Sequence, residues 1–388
     1  MVRYNQPVKD GSHIIVKVMC AVIFVLFSLL WLYYFQADLM AVTQHVLSKG
    51  QTVYHRSVGA VIITLVLLLL QMGVLKVIKL YRSNHALTYF PSMLLLAILT
   101  SGFPEKGSSS MSISYWYWLA PLLLALWGVA VWIICSVRPY LLKTALGLHA
   151  RVFWINILEM ALMIVGVNLA ANTNAVYHYR ARMETCLMKQ QFDEALTTGR
   201  RSLETDASLT MLRAYALSRK RELGERLFEY PVSGSGADLV PLSGCRSRWL
   251  IYPSDSLYRH LGAIPRPGMD TPAYLSALER GGQAKKAVGD YVLCGMLIDR
   301  NLDDFARTIG KYYDVADSLT LPRHYREALT LYVHQRSNPV VVYHHPVTEE
   351  DYRDLQELEA QYTNPTERKV RVMEKYQGSY WYYFEYVR

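Results

Sequence analysis

SVGAVIITLVLLLLQMGVL, residues Ser57 to Leu75, runs nineteen positions without a charged side chain. A helix needs roughly 17 to 25 apolar residues to cross a hydrocarbon core about 30 Å thick, because each residue rises only about 1.5 Å. No water solvates the backbone at that depth, so every N–H and C=O must be satisfied within the segment, and a helix does this locally. The stretch predicts a membrane span, and with it the fold class of the first part of the chain.

Four more segments read the same way: Val18 to Ala37, Ala86 to Phe103, Tyr115 to Val137 and Val152 to Ala171. Residues 86–103 form the shortest of them and carry Pro91 near the start, which leaves a tilted or re-entrant path open. The last contains Glu159, which a bundle tolerates where the helix faces protein. The first is read as a retained anchor. Its apolar run exceeds the roughly 7 to 15 residues of a signal core, and neither Phe35-Gln36-Ala37 nor Leu39-Met40-Ala41 is a small-x-small cleavage site. The expectation is therefore an all-α protein with a transmembrane domain of about five spans over residues 1–171 and a soluble domain over 172–388.

Charge follows the same division. Of the 388 residues 52% are hydrophobic, and the formal net charge is +9. Residues 1–171 hold 12 Lys/Arg against 4 Asp/Glu, whereas residues 172–388 hold 29 against 28. Cations gathered beside apolar spans mark loops kept in the cytoplasm, so the basic balance points to the lipid bilayer and away from nucleic acid. Arg3, Lys9, Lys17, Lys76, Lys79, Arg82, Arg138, Lys143 and Arg151 fall on one side of five crossings; Lys49, Arg56 and Lys106 fall on the other. The positive-inside rule then places the amino terminus in the cytoplasm and the soluble domain across the membrane. Trp31, Tyr33 and Tyr34 close the first span and Tyr115 to Trp118 open the fourth, both at the outer interface in this topology.

From Asn172 onward the pattern is amphipathic and helical. Tyr177 to Lys189, Phe192 to Glu204 and Leu209 to Tyr230 read as short hairpin helices. Phe192-Asp193-Glu194-Ala195-Leu196 resembles the start of the second helix of a tetratricopeptide repeat, with Ala195 at the small position where two helices approach. Gly199, Ser202 and Ala207 depart from that motif, so the repeat is a diverged one. Residues 231–271 are rich in Gly, Pro and Ser and read as an irregular insertion with one helix near Asp255 to Leu261. Helices resume to the end, with Thr348 and Asn364 as expected N-caps and Pro365 at a first helical position. The aromatic run Tyr380 to Tyr386 is expected to dock as a closing cap.

Several spans followed by Leu321-Pro322-Arg323-His324-Tyr325-Arg326-Glu327-Ala328-Leu329 and by the run Val333 to His344 (VHQRSNPVVVYH) resemble a family of Bacteroidales multi-pass membrane proteins with a tetratricopeptide-like soluble part. That resemblance brings no known activity, substrate or catalytic residue. It implies a Gram-negative inner membrane, which would make the far side the periplasm.

Motifs for chemistry are sparse. No phosphate-cradling Gly-rich loop, Gly-x-Ser-x-Gly elbow or His-Glu-x-x-His pair occurs. His334, His344 and His345 are the one local histidine cluster, but adjacent histidines point apart on most backbones, so no metal and no cofactor is expected. Cys186, Cys245 and Cys294 lack close spacing and read as thiols. Within the spans, Asn156 and Glu159 form a candidate polar site to which Gln71, Asn168 and Asn172 could add. Asp38, just past the first span, resembles the acidic residue of lipid-linked sugar transferases. The function expected is a membrane-anchored helical scaffold or adaptor binding a protein, peptide or envelope component. The alternative is a membrane enzyme or transporter using Asp38 or Glu159.

Overall fold

The computed structural model describes residues 12–78, 82–102, 113–141, 148–317 and 320–387. Among the described residues every regular element is helical and no strand occurs. The chain divides into two compact units, Met1–Asn174 and Ala175–Arg388.

In the first unit, α1 (Ser12–Leu30) continues as a π-helical turn, Trp31–Phe35, on which Phe27, Trp31 and Phe35 stack at 5.7 and 5.4 Å between ring centroids. Then come α2 (Ala37–Leu47), α3 (Arg56–Val77), α4 (Phe90–Thr100), α5 (Ile113–Leu141) and α6 (Leu148–Ala170). Among the described residues four helices are long and apolar enough to cross a membrane: Ile14–Phe35, Arg56–Val77, Tyr115–Ser136 and Val152–Ala170.

The expected span over 86–103 is not among them. Its α-helix, α4, has 11 residues and is preceded by a 3-10 stretch, Arg82–Tyr89, with a break at Asn84. Pro91 explains the change of winding. Lacking an N–H, it cannot bond to the carbonyl four residues back, so the α-helix restarts with proline in its first turn. The carbonyl left over, Leu87 O, accepts from Trp127 Nε1 at 3.0 Å. Phe103, and Arg3, Lys9, Lys79, Lys106 and Lys143 of the charge count, lie outside the described residues.

Hydrogen bonds fix the direction of each segment. Gln71 Nε2 donates to Thr88 Oγ1 at 3.0 Å and Ser92 Oγ to Leu67 O at 2.8 Å, so α3 runs antiparallel to residues 82–100. Trp116 Nε1 donates to Ser101 Oγ at 2.9 Å while Trp127 meets Leu87, which makes α5 antiparallel too. Asn84 meets Glu159 and Thr100 O accepts from the Asn172 N–H at 2.8 Å, so 82–100 runs parallel to α6.

The second unit begins with α7 (Ala175–Met188), α8 (Phe192–Thr197), α9 (Ala207–Lys220) and α10 (Leu223–Arg226). The helix expected over 192–204 stops at Thr197. Gly199 adopts φ +63°, and a Cβ there would lie 2.8 Å from the Tyr179 ring, so a turn replaces the remaining helix. The helix expected over 209–230 starts earlier, capped by the Asp206 carboxylate accepting from Leu209 N–H at 2.6 Å. It ends at Arg221, whose φ of 62° is left-handed. From Tyr230 to Thr271 the chain holds only a 3-10 turn, Gly236–Leu239, and α11 (Ser254–Leu261).

There follow α12 (Thr271–Arg280), α13 (Ala287–Ile298), α14 (Leu302–Ile309), α15 (Arg323–Gln335), α16 (Pro346–Gln361), α17 (Pro365–Tyr376) and α18 (Tyr380–Tyr386). From α12 to α18 each helix packs on the next. Asn364 caps α17, its Oδ1 accepting from Thr366 N–H at 3.0 Å. Thr348 does not cap α16: the helix starts two residues earlier at Pro346, and His345 Nδ1 accepts from the Thr348 N–H at 3.2 Å. Tyr380 to Tyr383 of α18 are buried against α15 and α17.

Candidate functional site

In the first unit the expected polar residues gather at the start of the third segment. Asn156 is buried on α6; its Oδ1 accepts from Ala86 N–H and its Nδ2 donates to Val152 O, both at 2.8 Å. A first-turn N–H has no carbonyl of its own helix within reach, so Asn156 serves as a cap lent by a neighbouring helix. Glu159, one turn further on, accepts through Oε1 from Asn84 Nδ2 at 2.6 Å, while its Oε2 has no partner among the described residues. Gln71 joins the same side of the segment through Thr88.

Asn168 and Asn172 stand elsewhere. Asn168 is exposed and bonds its own helix at Ile164 O, 3.0 Å away. Asn172 belongs to the other end of the bundle, where Gln36 Nε2 donates to its carbonyl at 3.2 Å. Asp38, in the first turn of α2, pairs with Arg56 at 2.7 Å and ties α2 to the start of α3. Its neighbour Leu39 lies against Gly102, beside Asn172, so Asp38 and Glu159 sit at opposite ends of the unit.

Asn84, Thr88 and Ser92 were not singled out in the sequence. The four-residue spacing of Thr88 and Ser92 inside an apolar segment was the available signal for those two.

In the second unit the buried carboxylates bind backbone. Glu184 on α7 is fully buried and takes the N–H groups of Leu250, Ile251 and Tyr252, the last two at 2.7 Å. Burial pushes its carboxyl up to about 7, against the pull of those three bonds and of Arg180. Glu327 on α15 gathers Arg323 Nε at 2.8 Å, His324 Nδ1 at 3.0 Å and the Tyr380 N–H at 2.6 Å. Burial pushes Glu327 up, but the His324 imidazole, the Arg323 guanidinium and the Tyr380 N–H outweigh it and hold the carboxyl below its ordinary range. Asp290 accepts from Tyr313 at 2.7 Å and Tyr325 at 3.0 Å, and burial raises it. Each of these acids joins two distant stretches of chain.

The three histidines have separate partners. His334 Nδ1 meets Thr330 O at 2.9 Å, His344 Nδ1 meets Glu349 at 2.6 Å, and His345 caps α16. Among the described residues no group of three His, Cys, Asp or Glu is placed to hold a metal ion. Cys245 Sγ donates to Leu242 O at 2.9 Å, Cys294 Sγ meets the Tyr325 hydroxyl at 3.4 Å, and Cys186 is buried in the core.

A family model described as a family of unknown function (DUF6057) matches residues 269–387, the stretch from α12 through α18. No curated protein and no solved structure matches the chain.

Proposed function

We propose that the chain is a membrane-anchored helical scaffold whose second unit binds an extended segment of a protein or peptide partner along residues 339–343. One observation carries this reading. Between α15 and α16 the chain bends at Val340 and Val341, with Val340 at 68% and Val342 at 79% exposure, while Val341 is half-buried and Tyr343 buried. Exposed and covered side chains thus alternate with a period of two, as they do along a strand. Val340 N–H donates to the Tyr332 hydroxyl at 3.1 Å, and the N–H groups of Val341 and Val342 make no hydrogen bond among the described residues. An exposed edge of β-branched residues with open backbone groups is the surface on which a partner adds a strand. The neighbour-to-neighbour packing of α12 to α18 supports a diverged tetratricopeptide-like array as the platform.

We further propose that residues 82–100 complete a fifth crossing. Past the break at Asn84, five residues at about 2.0 Å and eleven at about 1.5 Å give about 26 Å of continuous helix, close to the thickness of a hydrocarbon core. The alternating directions of α3, residues 82–100, α5 and α6 support the same count. Together with the loop cations this count supports a cytoplasmic amino terminus and a second unit in the periplasm of a bacterial inner membrane. The enzyme alternative has less support, since the Asp38 carboxylate is engaged by Arg56.

The test is site-specific photocrosslinking of the full-length protein in native membranes, with the reactive group at Val342 or, as control, at exposed Arg266. A discrete adduct from position 342 alone is expected. No adduct there, or the same adducts from both positions, would rule the reading out.

A further inference from the structure

We propose that the membrane unit encloses a hydrated polar seam that carries protons to and from Glu159. The proposal goes beyond the scaffold reading and stands or falls separately from the crosslinking result.

The third segment carries the polar residues Asn84, Thr88, Ser92 and Thr100 along its length. Thr88, Ser92 and Thr100 are buried. The facing side of α3 presents Gln71 to Thr88 at 3.0 Å and Leu67 O to Ser92 at 2.8 Å, and Thr64 is the next residue along that buried face. A polar stripe like this can be dry packing between helices. Two orphaned hydroxyls argue otherwise. Ser28 Oγ on α1 and Thr64 Oγ1 on α3, in residues 0% and 3% exposed, have no hydrogen-bond partner among the described residues.

Hydroxyls inside a membrane helix ordinarily return to a carbonyl of the preceding turn, as Thr100 does to Leu96 O at 2.9 Å. Ser28 and Thr64 do not. A buried hydroxyl left unpaired is costly, and internal water is the usual means of satisfying it. Along their helices Thr64 and Ser28 fall between the Asn84–Glu159 contact, near the end of α3, and Gln36, whose Oε1 is also unpartnered. Glu159 is the carboxylate on this route, and its Oε2 is open to accept. Cys20, His85 and Tyr89 are the other titratable groups buried around it.

The step is a proton transfer. Water in the seam donates H⁺ to a Glu159 carboxylate oxygen, forming the neutral acid; the proton then leaves to water toward the opposite mouth and the carboxylate is restored. One proton crosses per cycle, driven by its gradient, with no other reactant.

The full chain is reconstituted in vesicles containing a pH-sensitive dye, and a potassium diffusion potential is applied with valinomycin. Proton flux several-fold above protein-free vesicles is expected, falling to background in Glu159→Gln and unchanged in Asp38→Asn. Background flux in the unaltered protein, or flux indifferent to Glu159→Gln, overturns the proposal. A second readout does not depend on the fate of that variant. In a dry bundle Thr64→Val and Ser28→Ala each remove an orphaned hydroxyl and raise the Tm in detergent; in a hydrated seam they remove a water ligand and lower it. A raised Tm also overturns the proposal.

Discussion

Gly236 and Gly295 meet backbone to backbone: a Cβ on Gly236 would lie 2.5 Å from the Gly295 carbonyl oxygen and 2.7 Å from its Cα. The Gly236 N–H donates to Asp299 Oδ1 at 2.8 Å, so the irregular stretch after Tyr230 is seated on α13 by contacts that leave no room for a side chain. Gly236→Ala is expected to destabilise the second unit by about 1 to 3 kcal/mol through overpacking. Gly295→Ala, whose Cβ would meet nothing closer than 3.6 Å, is expected to be neutral or stabilising. Denaturant titration followed by tryptophan fluorescence checks both; equal effects would contradict the asymmetry.

The Glu327 knot predicts an acid transition at the carboxyl-terminal cap. A carboxyl held below its ordinary value of 4.5 stabilises the fold at pH values above that, and the contribution is lost as pH falls through the lower folded value. Because the Tyr380 N–H bonds the Glu327 carboxylate and the next residue's Trp381 Nε1 bonds the Glu327 backbone carbonyl, the indole lies beside the titrating group and reports the change. Its emission should shift only as the pH falls below the ordinary carboxyl value of 4.5. Glu327→Gln should be less stable at neutral pH and lack the transition; an unaltered pH profile would contradict the assignment.

The crossing count has a two-site test. Cysteines replacing exposed Val53 and Arg266 in a cysteine-free background are probed with a membrane-impermeant reagent from one side at a time. Labelling of both from the same side is expected if residues 82–100 cross. Labelling from opposite sides would mean that only the four long helices do.

Asn156 and Asn168, both on α6, should differ sharply. Asn156→Leu strips the Ala86 N–H of its acceptor in a buried place and is expected to cost about 1 to 3 kcal/mol. Asn168→Leu removes only a bond to its own helix on an exposed face and should leave the melting temperature nearly unchanged. Thermal unfolding in detergent reads both, and similar losses would argue against the lent cap.

Much of the helical content was legible because it depends on local rules. Ser57 to Leu75 is apolar at every turn, and Asn364-Pro365 writes its own cap. What escaped the sequence was set by partners far along the chain. Pro91 was visible, but that Trp127 would accommodate the freed carbonyl of Leu87 was not. The early end of α8 depends on Tyr179 lying over Gly199, a tertiary contact. His345 displaced Thr348 as a cap because Pro346 can occupy the first helical position, a choice between two permitted starts. For the site, Asn156 and Glu159 were visible as polar residues in an apolar span, whereas Asn84, their common neighbour in space, precedes the apolar run and carries no mark of its own.

Asn172 is the residue through which α6 leaves the bundle. Its N–H is bonded to the end of α4 and its carbonyl to Gln36 at the end of α1. A mechanical load on the chain beyond it, such as tension from a captured partner, would therefore be shared among three helices instead of drawing on α6 alone. The end of α6 is thus cross-tied within the first unit to the end of α4 and to the turn before α2.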